Sequence, residues 1–348
     1  MQILGQQTFN EIFSQPNLWK QSLDIFNSQY QTVLEFYQHS QAKKIILTGC
    51  GSTYYLSAIG AWLIQEQTGI PTIAYPASEL LLFPNHFFLP NEKTLLIMVS
   101  RSGTTRETVE SARLFKKYGT GKTLAITCHS ESILAQEADF VLAVDEAREE
   151  SPVQTRSFSS MAVLLQALAL AFGERTDTNS LVSLPDALST LLDDYHDLAK
   201  ELGTMTQFNQ FVFLGTGALY GVACEAMLKM AEMALVPSVA YHAMEFRHGP
   251  RYAVNDQTMV IALLDENLRD EEIRALHDAQ HFGAKIVSII ENSDEEIETI
   301  GHTVKLQSNL AVLDRIILYL PFLQLIGYYQ AITRGYNPDK LRERAPKS

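Results

Sequence analysis

Residues 225–232 read EAMLKMAE. On a helix, Glu225, Lys229 and Glu232 stand at i, i+4 and i+7 and share one face. Sixteen residues beyond Glu232, the stretch MEFRHGP supplies His248. A carboxylate, an ammonium and an imidazole are the parts needed to move protons at a carbonyl. An unperturbed glutamate, with a pKa of about 4.3, is a weak base. Burial strengthens such a base and a neighbouring lysine opposes the change. By spacing alone, Glu225 and Lys229 equally describe an exposed ion pair contributing roughly 0.3 kcal/mol. His248 equally describes a structural histidine before a Gly-Pro turn.

Two other stretches have the composition of an anion cradle. TGCGST (48–53) and SRSGTT (100–105) each follow an apolar strand-like run and precede a helical pattern. A helix start offers unpaired N–H groups and the positive end of the helix dipole. Serine and threonine add neutral donors, and glycine lets the backbone come close. A phosphate can be held this way without lysine or arginine. The simpler reading is that Thr104 or Thr105 caps the next helix. Neither turn is a Walker A loop or a GxGxxG fingerprint, which favours a sugar phosphate over a nucleotide.

These turns sit within a repeat. Residues 46–84 align without a gap on residues 212–250, with ten of 39 positions identical. Gly49, Gly51, Pro71, Tyr75, Glu79 and Pro84 match Gly215, Gly217, Pro237, Tyr241, Glu245 and Pro250. After a two-residue shift, NEKTLLIMV (91–99) matches NDQTMVIAL (255–263). Each half therefore reads strand, glycine turn, helix, strand, strand, loop, helix, strand. That alternation predicts an α/β fold of parallel sheets covered by helices, with the strand-to-helix turns along one edge. The second half keeps the glycines of GTGALY but loses the hydroxyls, and DENLRD (265–270) would repel phosphate. Glu66 occupies the place of Glu232 in the first copy, so Glu232 also fits a scaffold position.

The divisions expected are a helical extension (1–40), a first domain (41–182), a linking helix (183–203), a second domain (204–335) and a tail (336–348). The 348 residues are 46% hydrophobic and 19% charged, as in a globular protein. A net charge of −13 argues against nucleic-acid or anionic-membrane partners. Three scattered cysteines give no disulfide framework or zinc spacing, which fits a reducing, cytoplasmic location. The start of the chain lacks signal-peptide features. The longest helical apolar run read from the sequence, 161–172, is too short to span a bilayer.

Over residues 41–335 these motifs resemble, in order, the tandem form of the sugar isomerase (SIS) superfamily. CGST resembles its C-G-T-S turn and SRSGTT its S-x-S-G-x-T loop. SPVQTRSFSSM (151–161) resembles the segment that closes over the sugar. EAMLKMAE resembles E-G-A-L-K-L-K-E, and EFRHGP resembles E-L-K-H-G-P. EIFSQPNLW (11–19) is similar to the start of the ketose/aldose isomerase group. The likeness extends to the isomerase half of glucosamine-6-phosphate synthases and to phosphosugar deaminases.

The resemblance implies two tandem doubly wound, flavodoxin-like SIS domains, no cofactor and no metal, and a homodimer with shared active sites. It implies that Ser52, Thr53, Ser100, Ser102 and Thr105 hold the phosphate, with Gly51, Arg101 and Ser157 completing the substrate-binding set. Glu232 would shuttle a proton between C1 and C2, positioned by Lys229 and Glu225. His248 would open the ring from a second subunit. The chain shows no glutaminase segment and no cysteine at position 2, so synthesis from glutamine is not expected. The tail, DKLRERAPKS (339–348), departs from the family's D-K-P-R-N-L-A-K, and Lys347 falls out of register. The expected function is a phosphosugar isomerase/deaminase acting on an aminohexose 6-phosphate. The alternatives are a deglycase for fructosamine-type 6-phosphates and a phosphosugar sensor without catalysis.

Overall fold

The computed structural model describes residues 4–174 and 179–340. Residues 341–348, including Lys347, lie outside the described residues. The chain divides into two compact units. The first comprises residues 17–148 and 156–183, and the second residues 1–16, 149–155 and 184–348. The expected N-terminal extension is thus shared between the two units.

In the first unit, β1 (Lys44–Gly49), β2 (Thr72–Pro76), β3 (Lys93–Ser100), β4 (Thr120–Thr127) and β5 (Phe140–Ala143) form one parallel sheet. Their order is β2-β1-β3-β4-β5. In the second, β6 (Gln210–Gly215), β7 (Ser238–His242), β8 (Thr258–Leu263), β9 (Lys285–Ile290) and β10 (His302–Lys305) repeat it as β7-β6-β8-β9-β10. Register repeats as well. Ile45 pairs with Thr72 and Leu95, and its counterpart Phe211 pairs with Ser238 and Met259. This order reverses direction at β1/β3 and at β6/β8, where doubly wound sheets open a crevice.

The central strands are unbroken apolar runs because helices cover both faces. Leu95 through Val99 have no exposed surface. Helix Arg156–Phe172, which contains the run 161–172, packs on helix Ser52–Thr68. Gly60 permits this approach, since a Cβ there would stand 2.2 Å from Leu165 Cδ2. In the second unit, helix Tyr319–Thr333 packs on helices Leu184–Thr204 and Ala218–Ala234. The segment Ile316–Thr333 has the length and hydropathy to cross a membrane, yet 83% of it is buried in the molecule, as in a core helix.

The EIFSQPNLW stretch ties distant segments together. Within the second unit, the buried Glu11 accepts hydrogen bonds from the amides of Glu150 at 2.7 Å and Ser151 at 3.2 Å. Gln15 Nε2 donates to Gln324 Oε1 at 2.9 Å. The Thr8 amide and hydroxyl donate to Asp339 at 2.9 and 2.8 Å. Within the first unit, the indole of Trp19 donates to Ser159 Oγ at 2.8 Å.

Candidate active site

At the first switch point, β1 and β3 are adjacent, so both hydroxyl-rich turns leave neighbouring strands on one edge. After β1, Gly51 takes φ 57°, ψ −124°, a region that side chains avoid. Thr53 lies against the turn itself. Its hydroxyl accepts from the Cys50 amide at 2.9 Å and donates to the Cys50 carbonyl at 3.0 Å. Thr53 therefore shapes the turn, and Ser52 is buried beside it.

After β3, Ser100 Oγ accepts from the Gly103 amide at 3.1 Å and meets Thr105 Oγ1 at 3.2 Å. Ser102 Oγ accepts from the amide and hydroxyl of Thr104 at 3.2 and 3.0 Å. The Arg101 carbonyl accepts from the Cys128 amide at 3.0 Å, which fastens the loop to the end of β4. Thr105 is the N-cap residue of helix Arg106–Tyr118, but its side chain makes no capping bond. The simple capping explanation for this threonine therefore fails. The first-turn amides of that helix remain available to an anion. Ser157, in the same unit, is fully buried at the start of helix Arg156–Phe172.

The second unit reuses the frame with different contents. Gly217, at φ 58°, ψ −130°, reproduces the Gly51 turn. Where SRSGTT stands in the first copy, Asp265 and Glu266 open the loop. The buried Glu272 side chain accepts from the Asp265 amide at 2.9 Å. Thr216 and Glu272 occupy the places of Cys50 and Thr108, which face each other at 3.8 Å in the first copy. A carboxylate of the chain thus fills the second switch point. Burial pushes the Glu272 carboxyl up to about 7, against the pull of the Thr216 hydroxyl and the Asp265 amide.

Helix Ala218–Ala234 brings three of the predicted catalytic residues together. Lys229 Nζ lies 3.3 Å from Glu225 Oε1 and donates to Glu232 Oε2 at 2.7 Å. Glu225 and Lys229 are 0% and 1% exposed, whereas the Glu232 side chain is 36% exposed. The exposed-pair reading is therefore wrong. Burial pulls the Lys229 ammonium down, but the two carboxylates outweigh it and hold the pKa above its ordinary value. Lys229 is thus a fixed cation joining a buried carboxylate to an open one. At the matching positions of the first copy stand two buried aliphatics, Ile59 and Leu63, and Glu66 is exposed.

Glu232 lines a cleft of about 200 Å³ with Met233, Leu235 and the segment that follows helix Tyr319–Thr333, notably Tyr336 and Pro338. The tail was noted from sequence only for its departure from the family's ending, and Leu235 was not singled out. The signal for Leu235 lay in the repeat, where Gly69 stands opposite it. His248 is exposed, after helix Ala243–Phe246, and its amide bonds the Glu245 carbonyl at 3.0 Å. No hydrogen bond or ion pair joins it to Glu232 among the described residues. Its loop is clamped by Asp278, which takes Arg247 and Arg251 at 2.8 Å each. Among the described residues, no group of three or more His, Cys, Asp or Glu could hold a metal ion.

Two parallel sheets of identical strand order, each with a glycine turn at its switch point, define a duplicated α/β protein of the sugar-isomerase class. The SIS domain model matches residues 39–171 and 204–320, and the chain belongs to the SIS domain family. It is 30% identical over 324 residues to a glutamine–fructose-6-phosphate aminotransferase (isomerizing) of Clostridium tetani, covering 88% of this chain and 52% of that protein. The chain spans about half the length of the curated relatives it matches. A tagatose-6-phosphate ketose/aldose isomerase structure from Escherichia coli superposes with a TM-score of 0.88 at 23% identity, covering 99% and 98% of the two chains. A glucosamine-6-phosphate deaminase structure from Thermotoga maritima gives 0.78 at 27% identity, covering 97% and 98%.

Proposed function

We propose that this chain is a phosphosugar isomerase that releases ammonia when its hexose 6-phosphate carries an amine at C2. The observation that carries the reading is the Glu225–Lys229 pair, sealed in the second unit where the first keeps Ile59 and Leu63. A buried ion pair rarely stabilises a fold better than the aliphatics it replaces. Here its product is a geometry, in which Lys229 holds the accessible Glu232 at 2.7 Å. Fixed charge beside an open carboxylate suits a proton carrier that must pick up and release within one turnover.

In this reading the phosphate sits on the first unit's turns, held by Gly51, Ser52, Ser100, Arg101, Ser102 and Thr105. Thr53 acts by shaping its turn, and Ser157 supports the segment beside it. His248 assists ring opening, contributed by a second copy of the chain. Glu232 takes the C2 proton of the open aldose, giving an enediol or, from an amino sugar, an enolamine. It returns that proton to C1. An amino sugar then carries an imine at C2, and one water molecule converts this to ketose phosphate and ammonia. The membership of the SIS family and the names of the relatives support this chemistry.

The test is a panel of glucosamine, galactosamine, fructose and tagatose 6-phosphates read by mass spectrometry and ammonia assay, with Glu232→Gln alongside. Turnover should fall by orders of magnitude in the variant, while phosphosugar binding stays nearly unchanged. Full activity in Glu232→Gln would remove the base from the scheme. Binding without any product would mark a sensor.

A further inference from the structure

The helix that carries Glu232 ends in a conformation its terminal side chain does not favour. Leu235, just past Ala234, has φ 54° and ψ 34°, in the left-handed region. Helices that end this way usually place glycine there, because a Cβ crowds the neighbouring carbonyl. The repeat supplies a control. Helix Ser52–Thr68 also has 17 residues, and its matching residue is Gly69 at φ 67°, ψ 0°. No atom lies within 4 Å of where a Cβ on Gly69 would stand, so space does not dictate that glycine. Helix Tyr319–Thr333, whose following segment lines the cleft, is followed by Gly335 at φ 80°.

Among the described non-glycine residues at positive φ, namely Gln41, Glu174, Leu235, Gln307 and Asn309, only Leu235 has an aliphatic side chain. Core burial does not offset the backbone strain, because Leu235 is 38% exposed. What the side chain does is line the cleft that contains Glu232, opposite Tyr336 and Pro338.

We propose that Leu235 is a specificity-determining residue: its isobutyl group forms the apolar wall of the Glu232 cleft, against which the C1–C2 end of a phosphosugar rests. This rests on the reading of Glu232 as the proton carrier. The reacting carbons are planar in the enediol, and the faces of their double bond carry no hydrogen-bonding group. An aliphatic wall fits that face and keeps bulk water from the carbon being protonated.

The experiment compares Leu235→Gly and Leu235→Met with the unaltered full chain, using whichever of the four hexose 6-phosphates is turned over. Thermal melting first confirms that both variants fold. Leu235→Gly should raise KM about tenfold and leave inhibition by inorganic phosphate unchanged, because phosphate alone has no carbon chain to rest on this wall. Leu235→Met should restore KM to within about twofold. A folded Leu235→Gly with unaltered KM overturns the inference while the function stands. An unaltered chain that neither binds nor converts any of the sugars overturns the reading of Glu232, and this inference with it.

Discussion

Glu225 and Lys229 form a charged couple in a place where the twin helix is purely aliphatic. Copying the twin, as Glu225→Ile with Lys229→Leu, should leave the melting temperature equal or higher, since such swaps are neutral or stabilising by roughly 1–4 kcal/mol. Turnover should nonetheless drop at least a hundredfold, because Glu232 loses its fixed cation. Lys229→Met alone should behave differently. It breaks a buried ion pair by removing its cation and should destabilise by about 3–5 kcal/mol, read by urea denaturation. Glu272 gives a pH signature. Its folded pKa, about 7, lies above the ordinary glutamate value of 4.5, so its stabilising contribution is full below about 4.5 and gone above about 7. Glu272→Gln should therefore gain on the unaltered chain as pH rises from 5 to 8, by about 3 kcal/mol at most. A difference that stays flat across that range would place the Glu272 titration elsewhere.

Turns and helices hold these residues, and here the duplication is most exact in geometry. Gly51 and Gly217 share nearly the same φ and ψ. Alanine at either position should cost about 1–3 kcal/mol. Only Gly51→Ala should also weaken phosphate binding, measured by calorimetry with inorganic phosphate. The pairing of strands and turns was legible in the sequence because glycines and prolines recur at one offset. The edge strands β5 and β10 were not, since FVLA and HTVK are four residues each and only partly buried. Nor was the burial of Glu225 and Lys229, because the same letters at i, i+4 describe a surface pair. The aligned Ile59 and Leu63 held that information, and it needed comparison within the chain to surface.

At the scale of the molecule, sequence order and compact units do not coincide. Residues 149–155 and the first sixteen residues group with the second unit. Their ties span more than a hundred residues, as with Glu11 and Ser151 or Gln15 and Gln324, and no local pattern announces them. A fragment spanning 184–348 should therefore lose fixed tertiary structure, seen as a collapsed near-ultraviolet circular dichroism signal. Helix Tyr319–Thr333 would lose its Gln15 contact, and Asp339 its Thr8 contact. The occupied switch point of the second unit carries one more implication. A carboxylate pointing inward there makes the duplicate a natural lock with its own key left inside. On the proposal that the first unit's turns hold phosphate, protein engineers wanting two anion receptors in a single polypeptide need not invent a scaffold. They would transplant the serine-threonine loop and, at the same stroke, trim residue 272 to a hydroxyl.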